Sequence, residues 1–391
     1  MSGEPVIGVF NAGSSSLKFS LFAGDRCMLN GQVDGIGVRP GIQARDAAGA
    51  AIGGPDLAAS PPQTPGAALL MLLPWLRERL GGAPLAGLGH RVVHGGFEHA
   101  GPERVTPALL DALERLAPLA PLHQPHNLSP IRAALEKAPH LPQVACFDTA
   151  FHRGMPEVAQ VFALPHEMAA TGIRRYGFHG LSYEYIASVL PRVAPRLAEG
   201  RTVAAHLGNG ASLCAMREGR SMATTMGFSA LDGLPMGTRC GELDPAVVLY
   251  LIAQEGLTPA AVQDLLYRRS GMLGLSGASS DFRELLGSRD PRARFAIEVF
   301  VYRVARGVGS LAAALGGLDG LVFTAGVGEN AAPIRAAICQ ACAWLGVRMD
   351  AAANAAHGPC ITQADSPVVA YVIPTDENLM IARHTRAVIA S

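Results

Sequence analysis

Near the N-terminus, apolar residues come in short runs separated by small polar ones, a pattern of strands and tight turns. The run VIGVF at 6–10 precedes a small-residue turn at 11–16, and LKFSLF follows at 17–22. A second turn at 23–25 leads into a third run over 27–33. Runs of this length flanking Gly/Ser turns predict strands joined as hairpins. The same order returns in the second half: VAAHL at 203–207, a turn at 208–212, LCAM at 213–216, a turn at 217–219 and a run over 221–225. Setting Ser16 on Ser212 gives an offset of 196 in a chain of 391 residues. Turn spacings agree within about one residue, which predicts a duplicated domain with one phosphate-facing hairpin per half.

Helix starts are marked by capping residues. Thr106, Ser129, Asp244, Thr258 and Asp290 each precede a proline, so each predicts an N-cap followed by a proline at the first helical position. Leu109, Leu110, Leu113 and Leu116 then recur at helical spacing behind Thr106. A long helix is predicted from 290 to about 315, stopped by Gly316 and Gly317. Further strands are expected at 321–324 and 368–373. Strands in threes followed by helices, twice over, imply α/β domains with mixed sheets flanked by helices.

Composition narrows the function. Lys and Arg number 32 against 32 Asp and Glu, so no basic excess exists to hold a nucleic acid. Hydrophobic residues make up 49% and charged residues 16%, the balance of a large folded core. A chain this long exceeds one core and predicts two domains, with ligands at their junction. The long apolar run at 67–76 is only ten residues and contains Pro74, whereas a membrane span needs roughly 20. No basic segment precedes the first apolar run, unlike a signal peptide. Seven scattered cysteines predict reduced thiols and a cytoplasmic protein. Cys339 and Cys342 form a C-x-x-C without a second pair, which predicts small apolar positions on a helix.

Candidate chemistry collects where apolar elements end. Asn11 stands at the lip of a turn whose Ser14, Ser15 and Ser16 offer hydroxyls and backbone N–H groups, with Lys18 beyond. Such a concavity suits phosphate oxygens. Residues 206–212 and 326–330 add two more Gly-lined backbone cradles. Arg91 and Arg239 each lie among glycines, where a ligand can reach a guanidinium suited to carboxylate or phosphoryl oxygens. Asp148 and His179 follow apolar or aromatic residues, as polar groups at strand ends do. His90 and His94 have the i, i+4 spacing of a helical zinc pair, but their Val and Gly neighbours indicate a strand end. Asp376 or Glu377 is a helix-start acid, and Glu377 brought near Asn11 would supply oxygen ligands to a hydrated cation. No G-x-G-x-x-G opens a helix after the first strand, which argues against a dehydrogenase.

Taken together, these motifs resemble the acetate kinase family over nearly the full chain. Residues 9–18 (VFNAGSSSLK) are similar to its first signature and 176–182 (YGFHGLS) to its second. The collinear segments 89–96, 147–152, 206–212, 237–245, 280–283, 326–330 and 375–378 continue the match. The resemblance implies duplicated ribonuclease-H-like domains of the actin-like ATPase kind, with nucleotide in the interdomain cleft. An N-terminal domain would comprise 1–149 plus 378–391, and a C-terminal domain 150–377 would carry most of the nucleotide site. It also implies a homodimer that phosphorylates acetate with ATP, reversibly, using magnesium or manganese.

Carried over residue by residue, Asn11 and Glu377 resemble the metal-associated positions and Lys18 a phosphate contact. His206, Leu207, Gly208, Asn209 and Gly210, then Asp281, Phe282 and Arg283, then Gly326, Val327, Gly328, Glu329 and Asn330 resemble the ATP site. Arg91 resembles the substrate-carboxylate contact, Asp148 the residue named as acid/base, and His179 with Arg239 the transition-state stabilisers. The acyl pocket falls on Val93, Leu122 and Phe178, with Ala230 where the family has proline. That departure removes ring volume, so propionate stands beside acetate as a substrate. Pro235 also stands where the family is usually aliphatic. A carboxylate, with a solution pKa of about 4 to 5, is already an anion at neutral pH, so its attack on phosphorus needs no base. Asp148 is therefore expected to orient an arginine or a metal-bound water. A non-catalytic nucleotide-binding module of the actin or chaperone kind is the alternative from another class, and it would not need Arg91, Arg239 and His179.

Overall fold

The structure is a computed structural model and describes residues 4–391. The chain forms two compact units, one ending at Phe151 and completed by Asp376–Ser391, the other spanning His152–Thr375.

The first unit is built on one mixed sheet. Its strands are β1 (Val6–Ala12), β2 (Ser16–Ala23), β3 (Arg26–Asp34), β4 (Gly41–Asp46), β5 (Ala51–Ile52), β6 (Leu85–Val92), β7 (Glu103–Arg104) and β8 (Gln143–Phe147). They lie in the order β5-β4-β3-β2-β1-β6-β8-β7. β1, β2 and β3 pair antiparallel through their hairpins, whereas β1, β6 and β8 run parallel. Central β1 buries Val6, Ile7, Val9 and Phe10, so both of its faces are covered, as parallel-sheet strands require. Leu69, Leu72 and Leu76 of the helix Pro65–Arg79 share a core with Phe10, Phe19 and Leu88. The helix Glu377–Ala390 covers β6, where a Cβ at Gly89 would overlap Ile381 and Thr385, so only glycine allows the approach.

The second unit repeats the central part of this plan. β9 (Arg201–Leu207), β10 (Ala211–Arg217) and β11 (Arg220–Thr224) pair antiparallel, and β12 (Gly320–Thr324) and β13 (Val369–Val372) extend β9 in parallel. The order β11-β10-β9-β12-β13 reproduces β3-β2-β1-β6-β8. The two hairpins behind the 196-residue offset are β1–β2 and β9–β10.

Helix starts behave as their caps dictate, with one exception. Thr106, Asp244, Thr258 and Asp290 each accept a backbone N–H from the first turn, and the long helix runs Pro291–Leu315 to a left-handed Gly316 at φ 70°. Ser129 does not begin a helix. The helix Gln124–Lys137 starts earlier, with Pro125 in its first turn, and carries Pro130 inside. The Ser129 hydroxyl instead accepts the Gly66 N–H at 3.0 Å, tying two helices together. The segment 326–330, expected as a loop, is itself a short helix, Ala325–Asn330. Cys339 and Cys342 are buried at the end of the helix Ala332–Ala341.

Three buried imidazoles give the fold an acid limit. Burial pushes His90 and His94 in the first unit, and His152 in the second, down to about 4 from the usual 6.5. Each is neutral when folded but takes up a proton when unfolded between those values. Stability from these groups is thus complete above pH 6.5 and lost as pH falls toward 4. Urea midpoints measured across that window should fall steadily; a flat profile would contradict the neutral burial.

Candidate functional site

In the first unit, parallel pairing brings the ends of three strands together. Asn11 lies near the end of β1, Arg91 next to last in β6, and Asp148 just past β8, where its N–H donates to Val92 O at 3.1 Å. Arg91 Nε donates to Asp148 Oδ1 at 3.0 Å and Nη2 to Oδ2, a bidentate ion pair. Arg91 Nη1 donates to Asn11 Oδ1 at 3.3 Å. Asp148 is 1% exposed, so this carboxylate depends on the guanidinium for its neutralisation. Burial works against the charge on Arg91, but the carboxylates of Asp148 and Glu377 outweigh it and hold its pKa above the usual arginine value. Three of the five guanidinium N–H groups are thereby used, leaving one on each Nη.

The choice between Asp376 and Glu377 resolves by capping. Asp376 Oδ1 accepts the Leu379 N–H at 2.9 Å, which makes it the N-cap and leaves Glu377 in the first turn. Lys18 faces Asn11 across the β1–β2 ladder with an exposed side chain. Two side chains that sequence reasoning missed brace these strand ends. Asn127 donates to Ala12 O at 2.7 Å and accepts the Val93 N–H at 2.9 Å, while Gln124 accepts from His94 N–H at 3.2 Å and donates to His94 O at 2.9 Å. Val93 is buried and Leu122 half-buried. Both bracing residues come from the start of one helix, and a polar i, i+3 pair at a helix start gives no sign from sequence alone of what it will hold.

In the second unit, His179 precedes the helix Gly180–Val193 with φ 58°, a left-handed conformation that non-glycine residues rarely hold. Its ring stacks on His206 with centroids 4.2 Å apart. Its Nδ1 lies 2.8 Å from Ser212 Oγ. Buried His152 meets Ser221 Oγ at 2.8 Å and Phe178 O at 2.9 Å, fixing the backbone just before His179. Arg239 Nη1 donates to Ala230 O at 2.6 Å. A Cβ at Gly210 would lie 3.1 Å from both Arg239 Nη2 and His179 Nε2, so these two groups and the β9–β10 turn meet there. Phe178 is fully buried.

The remaining positions separate into backbone and side-chain contributors. A Cβ at Gly237 would overlap Asn209 Oδ1, and the Gly237 N–H donates to Asn209 O at 3.0 Å. Leu207 and Phe282 are core side chains, Phe282 packing edge-on against Phe300 at 4.7 Å, so a ligand could meet only their backbone. Asp281 caps the helix Phe282–Gly287, and hydrogen bonding by the exposed Arg283 holds its carboxyl down to about 2. A Cβ at Gly326 would meet nothing within 4 Å, while Glu329 folds back to accept from the N–H groups of Ala325 at 2.8 Å and Thr375 at 3.2 Å. Asn330 Nδ2 donates to Gly326 O at 2.9 Å, closing this short helix on itself.

Arg335, unremarked in the sequence, is fully buried and clamps the other end of that helix. Nη1 donates to Gly328 O at 3.0 Å and Glu329 O at 2.8 Å, Nε to Asn354 Oδ1 at 2.9 Å, and Nη2 to Asn354 O at 2.8 Å. Burial lowers its pKa, and carbonyl dipoles take the place of a carboxylate partner.

A strand order that occurs twice, with helices on mixed sheets, defines an actin-like ATPase fold. The acetokinase family model matches residues 6–383, and the chain belongs to that family. A Nitrobacter hamburgensis protein named acetate kinase is 53% identical over 382 residues, covering 96% of this chain and 94% of its own. Among solved structures, a propionate kinase from Francisella tularensis is 35% identical with TM-score 0.90, and an acetate kinase from Porphyromonas gingivalis is 34% identical with TM-score 0.87. Each match covers 98% of this chain and 99% of the other.

Proposed function

We propose that the protein phosphorylates acetate with ATP, reversibly, by direct in-line transfer of the γ-phosphoryl group to the carboxylate. The observation that carries this reading is Arg91, a permanently charged fork pre-oriented by buried Asp148 and retaining one N–H on each Nη, the pair of donors a substrate carboxylate takes. Asp148 acts by holding that fork, and no proton need leave a carboxylate that is already an anion. Arg239 neutralises charge that builds on the transferring group and His179 donates a hydrogen bond to it, where fixed donors are most effective. Backbone at 206–210, 281–283 and 326–330 receives the nucleotide, and Lys18 meets its phosphates. Val93 and Leu122 in the first unit and Phe178 in the second match the family's acyl-pocket positions.

Asn11 and Glu377 are a pair of hard oxygen donors. Such a sparse set suits magnesium, or manganese in its place, which keeps most of its waters. When bound, the ion supplies charge neutralisation on the nucleotide phosphates.

Propionate is the second reading, favoured by Ala230 at the family's proline position. The test compares ADP release with acetate, propionate and butyrate side by side, with and without EDTA. Release that requires a short carboxylate and stops with EDTA is expected; release indifferent to carboxylate would indicate the nucleotide-binding module instead.

A homodimer is supported by the helix Pro245–Ala253, none of whose residues is buried although all nine are apolar. Leu249 is 67% and Tyr250 55% exposed, the kind of patch that a second copy covers. Leu249→Glu should convert the protein to the 40.7 kDa monomer in sedimentation velocity. An unchanged species would place the interface elsewhere. Among the described residues no helix is long and apolar enough to cross a membrane. Seven cysteines scattered along the chain fit a reducing cytoplasm.

A further inference from the structure

Behind His179 lies a short relay of buried hydroxyls. Ser212 Oγ is 2.8 Å from His179 Nδ1, and Tyr183 OH is 2.5 Å from Ser212 Oγ. Ser212 and Tyr183 are both fully buried, so bulk water does not compete for either hydroxyl. We propose that Tyr183 and Ser212 are positioning residues that fix His179 in the tautomer carrying its proton on Nε2.

The phenol is the more acidic of the two hydroxyls and donates to Ser212, whose own proton then goes to Nδ1. An imidazole whose Nδ1 accepts must carry its hydrogen on Nε2. That nitrogen is the one aimed at the glycine turn, 3.1 Å from where a Gly210 Cβ would lie and beside Arg239 Nη2. His206 follows the same plan. Its Nδ1 lies 2.8 Å from Ser182 Oγ, and its Nε2 is 3.9 Å from the Cβ position of Gly208. The two stacked rings are thus each held by a serine at Nδ1 and present Nε2 to one turn.

The catalytic consequence rests on the reading that His179 serves the transferring phosphoryl group. With hydrogen on Nε2, His179 donates to phosphoryl oxygens. In the other tautomer a lone pair would face them, and the interaction would change from attraction to repulsion. Deleting one hydroxyl two bonds away from the ring should therefore reduce turnover without disturbing either substrate's binding.

The test uses the full-length protein labelled with 15N-histidine, with His179→Gln to assign the His179 signals. Long-range 1H–15N correlations in the wild type should show a single tautomer protonated at Nε2. Tyr183→Phe, which keeps the core volume, and Ser212→Ala should each give a mixture of tautomers. Both variants should lower kcat about tenfold or more while KM for ATP and acetate stay within about twofold, a size common for residues that orient a functional imidazole. A wild-type spectrum protonated at Nδ1, or Tyr183→Phe with unchanged kcat and tautomer, overturns the proposal. A purely packing role would lower Tm and leave the tautomer unchanged. Absence of acetate-dependent ADP release in the wild type would remove the functional reading, whereas the spectrum would still decide the tautomer.

Discussion

Arg91→Ala is expected to lower kcat/KM for the carboxylate by about 2 to 4 kcal/mol, roughly 30- to 1000-fold. The guanidinium is the one cation held in a bidentate fork by Asp148, and its raised pKa keeps it charged at every working pH. Raised folded pKa means that its stabilising contribution is present below the ordinary arginine value and is lost only at more alkaline pH, outside the working range. Removing it also leaves the buried Asp148 carboxylate without its cation, a change that costs about 3 to 5 kcal/mol in comparable buried pairs. Both effects can be separated. Arg91→Ala combined with Asp148→Asn should recover Tm relative to Arg91→Ala alone, yet recover no activity. Recovery of turnover in the double variant would mean that Arg91 acts only on the fold.

Arg239→Ala should lower kcat by a similar factor, again about 2 to 4 kcal/mol, with KM for ATP within about threefold. The guanidinium is anchored by Ala230 O at 2.6 Å and borders Gly210, where His179 Nε2 also points. The main loss is expected where charge develops during transfer. Initial rates over a grid of ATP and acetate concentrations check this. A raised KM with unchanged kcat would instead make Arg239 a ground-state contact.

Local order was legible in the sequence where a residue's effect is local. Turn residues fixed the hairpins, caps at Thr106, Asp244, Thr258 and Asp290 fixed helix starts, and the duplicated hairpin predicted the repeated strand order. Ser129 shows the limit, because its hydroxyl found a partner 63 residues away and left the helix to begin at Gln124. Candidate residues were also recognisable as types, but not as partners. Arg91 and Asp148 are 57 positions apart, and only the parallel pairing of β6 with β8 brings them into one ion pair. Gln124, Asn127, Tyr183 and Arg335 escaped notice because each acts through a buried hydrogen bond to a distant segment, and Ser212 was recognised only as a turn residue. Phe282 carried the opposite lesson: it lies within a matching motif, yet its ring belongs to the core beside Phe300.

Phosphoryl transfer to a carboxylate has a product that can be captured. Hydroxylamine converts an acyl phosphate to a hydroxamate, which can be measured alongside ADP in one reaction with ATP, magnesium and acetate. One hydroxamate per ADP is the expected result, with neither formed when acetate is omitted. ADP released at the same rate without acetate, and no hydroxamate with it, would contradict transfer to the carboxylate.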